Sequence, residues 1–442
     1  MNSKKIMTLK EHLQKNILLA TPVAVGQLGH VMVSVADSVM VGRLGVIPLA
    51  SATFANSIFH VLFLFGIGVS NALTPLVSST DPRQKLKLFS LLQNNILLNF
   101  LLGVGILLLA LSSSFFLDHF GQETEVVNGA RPYLWIISSS IVPIMIFQSF
   151  RQYSEGLSDT FIPMIVSIVG NMINVVLNYV LIYGKLGFPV MGLNGAGLAT
   201  LISRIVMLSI IIYLTRKKWM GIALKFSKSM IQQQFNLGIP LGFQYVFEVG
   251  AFATASIMIG WIGAEELAAH QIAINMAAVT YMAANGVATA ASIRIGNQLG
   301  RRDKTNLRIA GFSSFGLVGI FMAFCGILFI LFRWYLPYLY INNHEVTTVA
   351  SSLLIIAAAF QISDGLQAVG LGVLRGLRDV KVPTAITFIA YWVIAIPVAY
   401  FFGFVLDWGI SGIWYALLMG LSIAAVMHIW RFDQLSKNLL FK

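Results

Sequence analysis

The sequence predicts an all-α polytopic membrane protein: twelve transmembrane helices in two parallel six-helix repeats, an N-lobe and a C-lobe, around a central cavity. Three observations carry this expectation. The 442-residue chain is 57% hydrophobic and 10% charged, with a mean hydropathy of +0.81, so it has too little polar surface for a soluble globule of its size. Apolar runs of roughly 20 residues or more recur between short polar turns. The second half of the chain repeats the first at an offset of 218 residues.

The apolar runs lie near 17–42, 47–77, 88–113, 128–150, 161–183, 194–214, 235–261, 268–295, 308–334, 347–374, 383–404 and 410–430. The second is long enough to be tilted or bent. The opening stretch MNSKKIMTLKEHLQK is basic but enters the first run without a small-residue cleavage site, so it reads as retained rather than as a removable signal. With a cytoplasmic N-terminus, 24 of the 29 basic residues fall on inner segments. They are Lys4, Lys5, Lys10 and Lys15; Arg83, Lys85 and Lys87; Arg151; Arg216, Lys217, Lys218, Lys225 and Lys228; Arg294, Arg301, Arg302, Lys304 and Arg308; Arg375, Arg378 and Lys381; and Arg431, Lys437 and Lys442. Arg43, Arg131, Lys185 and Arg333 fall outside, and Arg204 lies within a helix. This positive-inside asymmetry places the chain in the cell (inner) membrane with both termini cytoplasmic. The net charge of +12 is therefore topological, and lipids rather than nucleic acid are the expected surroundings. The single cysteine, Cys325, sits in an apolar run, which excludes a disulfide or a Cys-based metal or haem motif within the chain.

The repeat aligns LATPVAVGQLGHVMVSVADSVMVGRLGVIPLA (19–50) with LGIPLGFQYVFEVGAFATASIMIGWIGAEELA (237–268), pairing Pro22 with Pro240, Gly42 with Gly260 and Gly45 with Gly263. The register persists where Gly68 meets Gly286, and EGLSDTFIP (155–163) later matches RGLRDVKVP (375–383) at an offset of 220. Residues 1–214 thus form an expected N-terminal six-helix lobe, 215–234 a basic cytoplasmic linker, and 235–442 a C-terminal lobe with a short tail. Six is an even number, so both halves enter the membrane from the same side, an arrangement suited to alternating access.

Seventeen acids are present, of which seven lie on outer segments and seven on inner ones, leaving Asp37, Glu248 and Asp364 within helices. A carboxylate inside a membrane helix is expensive and marks a functional group by default. At 1.5 Å per residue, Glu248 lies roughly 20 Å from the cytoplasmic start of helix 7, and Asp364 roughly 16 Å from Arg375. Both fall near mid-membrane, while Asp37 lies nearer the outside. The repeat pairs Glu248 with His30 and Asp37 with Ala255, so the two halves carry different chemistry. Polar side chains accompany the acids at helical spacing: Gln27, His30 and Ser34 with Asp37, then Asn171, Asn174 and Asn178 in helix 5, Gln244 one turn before Glu248, and Gln361 and Gln367 on either side of Asp364. Carboxylate and amide oxygens suit a small hard cation, and a lone desolvated carboxylate suits a proton. Hydrogen bonding between helices is the competing reading of the amide stripes. Arg204 is either a counter-ion for one acid or a packing residue.

The stretches ATPVAVGQLGHVMVSVADSVMVGRLG, the FE of YVFEVGAF, AAHQIAINMAAVTYM and FQISDGLQAVGLGVLRGLRD resemble the multidrug and toxic compound extrusion (MATE) transporters, most closely the NorM-like branch, over essentially the whole chain. The resemblance implies a two-lobe antiporter that expels organic cations in exchange for Na+ or H+, with no other cofactor. It implies Asp37 as the N-lobe acid with Asn174, Asn178 and Thr200, and Glu248 with Asp364 as the C-lobe cation site. Either group could then hold Na+. In one departure, some NorM-like members have Tyr one turn before the helix 10 acid, where this chain has Phe360.

The residues and the resemblance agree on mechanism. Three intramembrane acids against one arginine attract cations, and 31 Phe with 17 Met supply polarizable walls for cationic amphipathic molecules. The chain is expected to act as a monomer and not as an enzyme, since no nucleophile motif accompanies His30 and Asp37. A lipid-linked oligosaccharide flippase of the wider superfamily is the alternative, but its anionic cargo calls for several buried cations.

Overall fold

The computed structural model describes residues 6–219 and 226–439; Lys4, Lys5, Lys225 and Lys442 of the basic inner segments lie outside them. Among the described residues, twelve helices are long and apolar enough to cross a membrane: α1 (Leu9–Gly42), α2 (Val46–Ser78), α3 (Lys85–Phe120), α4 (Thr124–Gly156), α5 (Phe161–Tyr183), α6 (Gly192–Lys218), α7 (Lys228–Gly260), α8 (Ala264–Gly300), α9 (Lys304–Phe332), α10 (His344–Gly376), α11 (Lys381–Val405) and α12 (Gly409–Asn438). Most helix ends extend beyond the apolar stretches, by one to eight residues, because a helix need not stop where its hydrophobic span stops. The expected linker 215–234 shrinks accordingly: α6 continues to Lys218 and α7 begins at Lys228. The second helix is interrupted by a turn at Asn71 and Ala72. On α9, Ile320, Phe324, Ile327 and Leu331 are all exposed at helical spacing, the pattern of a lipid-facing stripe.

By contacts the chain divides into two compact units, Met1–Ala24 with Phe243–Lys442 and Val25–Gly242. The division points, Ala24 and Gly242, are related by the repeat offset of 218. Each falls just beyond the proline inside its helix, Pro22 in α1 and Pro240 in α7, where the ring leaves one backbone carbonyl without its usual N–H. The beginning of each repeat's first helix therefore packs with the other repeat's helices. In one unit the start of α7 meets α2, where a Cβ on Gly68 would lie 2.6 Å from the Gly242 Cα. In the other the start of α1 meets α8, where a Cβ on Gly286 would lie 2.7 Å from the Ala20 carbonyl oxygen. Small residues let the backbones approach this closely.

Equivalent buried amides secure both crossings, with different chemistry. In one unit the Gln234 amide donates to Leu91 O at 2.9 Å and accepts from Asn95 Nδ2 at 3.1 Å. In the other, Asn16 donates to Ser313 Oγ at 3.3 Å and accepts from Arg294 Nη1 at 2.6 Å. Arg294, only 3% exposed, also donates to His12 O at 2.7 Å and to His12 Nδ1, and the far ring nitrogen of His12 meets Asn306 Oδ1 at 3.3 Å. Replacing Arg294 by Ala leaves these acceptors buried and unpaired, at a cost of about 3 kcal/mol. The thermal midpoint of the purified protein is expected to drop by several degrees, and an unchanged midpoint would show that the clamp carries no stability.

Candidate functional site

Each unit holds one group of intramembrane acids. In Val25–Gly242, the carboxylate of Asp37 accepts from Asn178 Nδ2 across 141 residues of sequence. The same nitrogen donates to Asn174 Oδ1 at 3.1 Å, Asn174 donates to Thr200 Oγ1 at 3.3 Å, and Thr200 donates back to Ala196 O at 3.1 Å. Asp37, Asn174, Asn178 and Thr200 thus form one chain of hydrogen bonds across α1, α5 and α6. Asn178 sits one turn from Asn174, so a single face of α5 presents both amides. The Asn178 Oδ1 atom is buried without a protein partner, which leaves an oxygen beside Asp37 available to a small cation or to a carboxyl proton.

The helix-1 stripe is only partly buried. Ser34 is exposed, and Gln27, His30 and Asp37 are intermediate. The contact that fixes Asp37 comes from α5 rather than from Gln27, His30 or Ser34 of its own helix. Arg204 donates to Ser140 Oγ at 2.6 Å, and its guanidinium carbon lies 5.3 Å from the Phe59 ring centroid and 5.0 Å from that of Phe63. It is held by a hydroxyl and two ring faces, and its charge acts on Asp37 through space.

In the other unit, Glu248 of α7 and Asp364 of α10 lie close enough to interact electrostatically. Tyr281 of α8 donates its phenol to Glu248 Oε1 at 3.3 Å, and Gln367 of α10 lies against the same carboxylate. Tyr391 of α11 donates to Gln367 Oε1 at 3.2 Å. Asp364 is 6% exposed, and Gln367 and Tyr391 are fully buried. Gln244 is buried one turn before Glu248. Gln361 is buried with neither amide atom bonded to protein, so the side chain three residues before Asp364 does not join this group, whereas the one three residues after it does.

Sequence reasoning missed the phenols. Phe360, one turn before Asp364, packs its ring 5.6 Å from Trp414 and 6.0 Å from Phe252, so that position is aromatic filling. Phenolic oxygen arrives instead from Tyr281 and Tyr391 on neighbouring helices. The signal in the sequence is slight: each is a polar aromatic inside an apolar run, and Tyr391 lies in a π-helical stretch, Ile389–Ala395, of the kind that accumulates at functional sites.

Two carboxylates this close, in a medium of low dielectric, are most stable when they share a cation or a proton. Carboxylate, phenol and amide oxygens together make a hard donor set. Among the described residues no cluster of three or more His, Cys, Asp or Glu is placed to hold a metal ion.

Comparison with known proteins agrees with this architecture. The family model MatE matches residues 22–180 and 240–401, one match per repeat, each beginning at the conspicuous proline. Multidrug resistance protein NorM of Aliivibrio fischeri is 32% identical over 441 residues, covering 96% of this chain and 94% of that protein. Probable multidrug resistance protein NorM of Rhizobium meliloti is 33% identical over 440 residues, covering 97% and 94%. The crystal structure of eukaryotic MATE transporter AtDTX14 superposes with a TM-score of 0.85 at 20% identity, covering 97% of this chain and 98% of that one. An outward-facing multidrug resistance MATE family transporter of the MOP superfamily superposes with a TM-score of 0.88 at 20% identity, covering 98% and 100%. At that identity the structures speak for the fold, while the family model and the relatives speak for descent. Matched once in each repeat and over nearly its whole length, the chain belongs to the MATE family of transporters.

Proposed function

We propose that this protein is a cation-coupled antiporter that exports lipophilic cationic compounds by alternating access, with Na+ or H+ as the coupling ion and no other cofactor. The observation that carries the reading is the Glu248–Asp364 pair with its phenol and amide neighbours. Such a pair binds a cation readily in one state and must release it in another, and a ligand drives a conformational change only through unequal affinity for the two states. The relatives named for multidrug resistance support a drug-like cargo. In this reading the chain lies in the inner membrane as a monomer with both termini cytoplasmic, and the two sequence repeats, 1–214 and 235–442, supply the N-lobe and the C-lobe apart from the first turns of α1 and α7, which pack with the other repeat. A flippase for lipid-linked oligosaccharide finds less support, because Arg204 is engaged by Ser140 and two phenylalanines.

The test is purified protein in liposomes, with ethidium as the dye and no ATP. A Na+ gradient is imposed with ΔpH collapsed, then a ΔpH without a Na+ gradient. Dye movement in one arm is expected and assigns the ion. Dye movement in neither arm would overturn the antiporter reading.

A further inference from the structure

Polar groups continue beyond the Glu248–Asp364 pair, along α10, α11 and α12 toward one end of the unit. Tyr391, bonded to Gln367, lies two helical turns after Pro383 on α11, with Thr387 between them on the same face. His428 of α12 approaches the Pro383 carbonyl. It also lies against Gly370 of α10, where an added Cβ would stand 2.6 Å from the His428 Cβ and 3.5 Å from Nδ1. Only a glycine at 370 leaves room for the ring. Thr387 and His428 are fully buried, and the Thr387 hydroxyl and both His428 ring nitrogens close no well-formed hydrogen bond to protein.

Buried polar atoms in native proteins are almost always satisfied, and where protein does not serve them, water does. A hydroxyl and an imidazole left for water, in line with a phenol beside two carboxylates, have the composition of a proton wire. The spacing fits. Asp364 to Gly370 spans roughly 9 Å along α10, and Tyr391 to Pro383 roughly 12 Å along α11. Beyond His428 the unit soon ends in charged groups. Arg431, three residues on, pairs with Asp379 at 2.8 Å, and Arg308 pairs with Asp433 at 2.7 Å. Arg375, Arg378 and Lys381 cap α10 and open α11 at that same end.

Resting on the antiporter reading, we propose that Tyr391, Thr387 and His428 form the route by which a proton leaves the Glu248–Asp364 pair for the cytoplasmic end of this unit, so that the coupling ion is H+. The carboxyl O–H gives its proton to water. The Tyr391 hydroxyl turns its O–H from Gln367 Oε1 to water as its oxygen accepts the incoming proton, and the Thr387 hydroxyl likewise accepts on oxygen as its own proton moves onward. His428 accepts on its unprotonated ring nitrogen and gives the proton on the other to water at the basic end, so one proton crosses and no group on the route changes net charge. Imidazole suits this task, since its two nitrogens can be acceptor and donor at once, and it offers nothing to Na+ that the oxygen ligands lack.

The test compares the full-length protein with Thr387→Val and His428→Gln in the ΔpH-driven dye assay, beside dye binding to the purified proteins. Efflux is expected to fall roughly tenfold or more in each variant, in the range lost with a proton-transfer group. Dye affinity should be unchanged, and the deficit should shrink as the cytoplasmic-side pH is raised, because the stranded proton then meets a stronger acceptor. Parental ΔpH-driven efflux in both variants overturns the route. So does loss of dye binding along with efflux in both, which marks a structural role, and so does a parent protein driven by a Na+ gradient alone. If the parent moves dye under neither gradient, the antiporter reading itself has failed.

Discussion

Replacing Glu248 by Gln or Asp364 by Asn is expected to suppress ion-driven dye efflux by about 100-fold, with expression and thermal midpoint close to the parent. The reason is electrostatic. Like charges repel strongly in a medium of low dielectric, so such a pair is stable only with a cation or a proton to offset the repulsion between its members. Removing one charge removes the repulsion, and with it the drive to capture and release an ion in each cycle. The amides keep the size of the acids, and the carboxamide introduced in Glu248→Gln can still accept from Tyr281, so folding is preserved. A single variant that effluxes dye at the parental rate would show that the two acids do not share a site.

Asp37→Asn is expected to lower dye affinity roughly tenfold, the loss of one charged partner for a cation, and to suppress ion-driven exchange. The substitution keeps an oxygen for Asn178 Nδ2 and so leaves the chain through Asn174 and Thr200 in place. What disappears is the charge, and Arg204 then acts on the region unopposed. Titration of the purified variant with a fluorescent cation checks this directly. Unchanged affinity together with retained efflux would make Asp37 a packing residue held by amides.

The three acids, the helix-5 amides and Thr200 are all legible as candidates, because a charged or amide side chain inside an apolar run is visible without any structure and the family resemblance supplies the threonine. Helical spacing also correctly puts Asn174 and Asn178 on one face. It does not say which face Asp37 meets, and its nominal companions Gln27, His30 and Ser34 are not the residues that hold it. Periodicity relates positions within a helix, whereas the Asp37–Asn178 bond joins residues 141 apart. The same limit hides Tyr281 and Tyr391: nothing in the order of residues reveals that phenols from α8 and α11 stand in where Phe360 offers none.

Hydropathy and the 218-residue repeat by themselves determined the twelve spans and the two-fold internal plan, since the length of an apolar run and the recurrence of a pattern are both read along the chain in one dimension. Where the chain divides into compact units was a tertiary decision. The sequence places the seam in the basic segment near 215–234, but contacts place it inside α1 and α7, just past Pro22 and Pro240. Close packing at Gly68 and Gly286, and the buried anchors at Gln234 and Asn16, draw each helix's first turns away from the rest of its own repeat. Such packing depends on which backbones can approach within contact distance, a property of facing surfaces that no single helix carries in its own sequence.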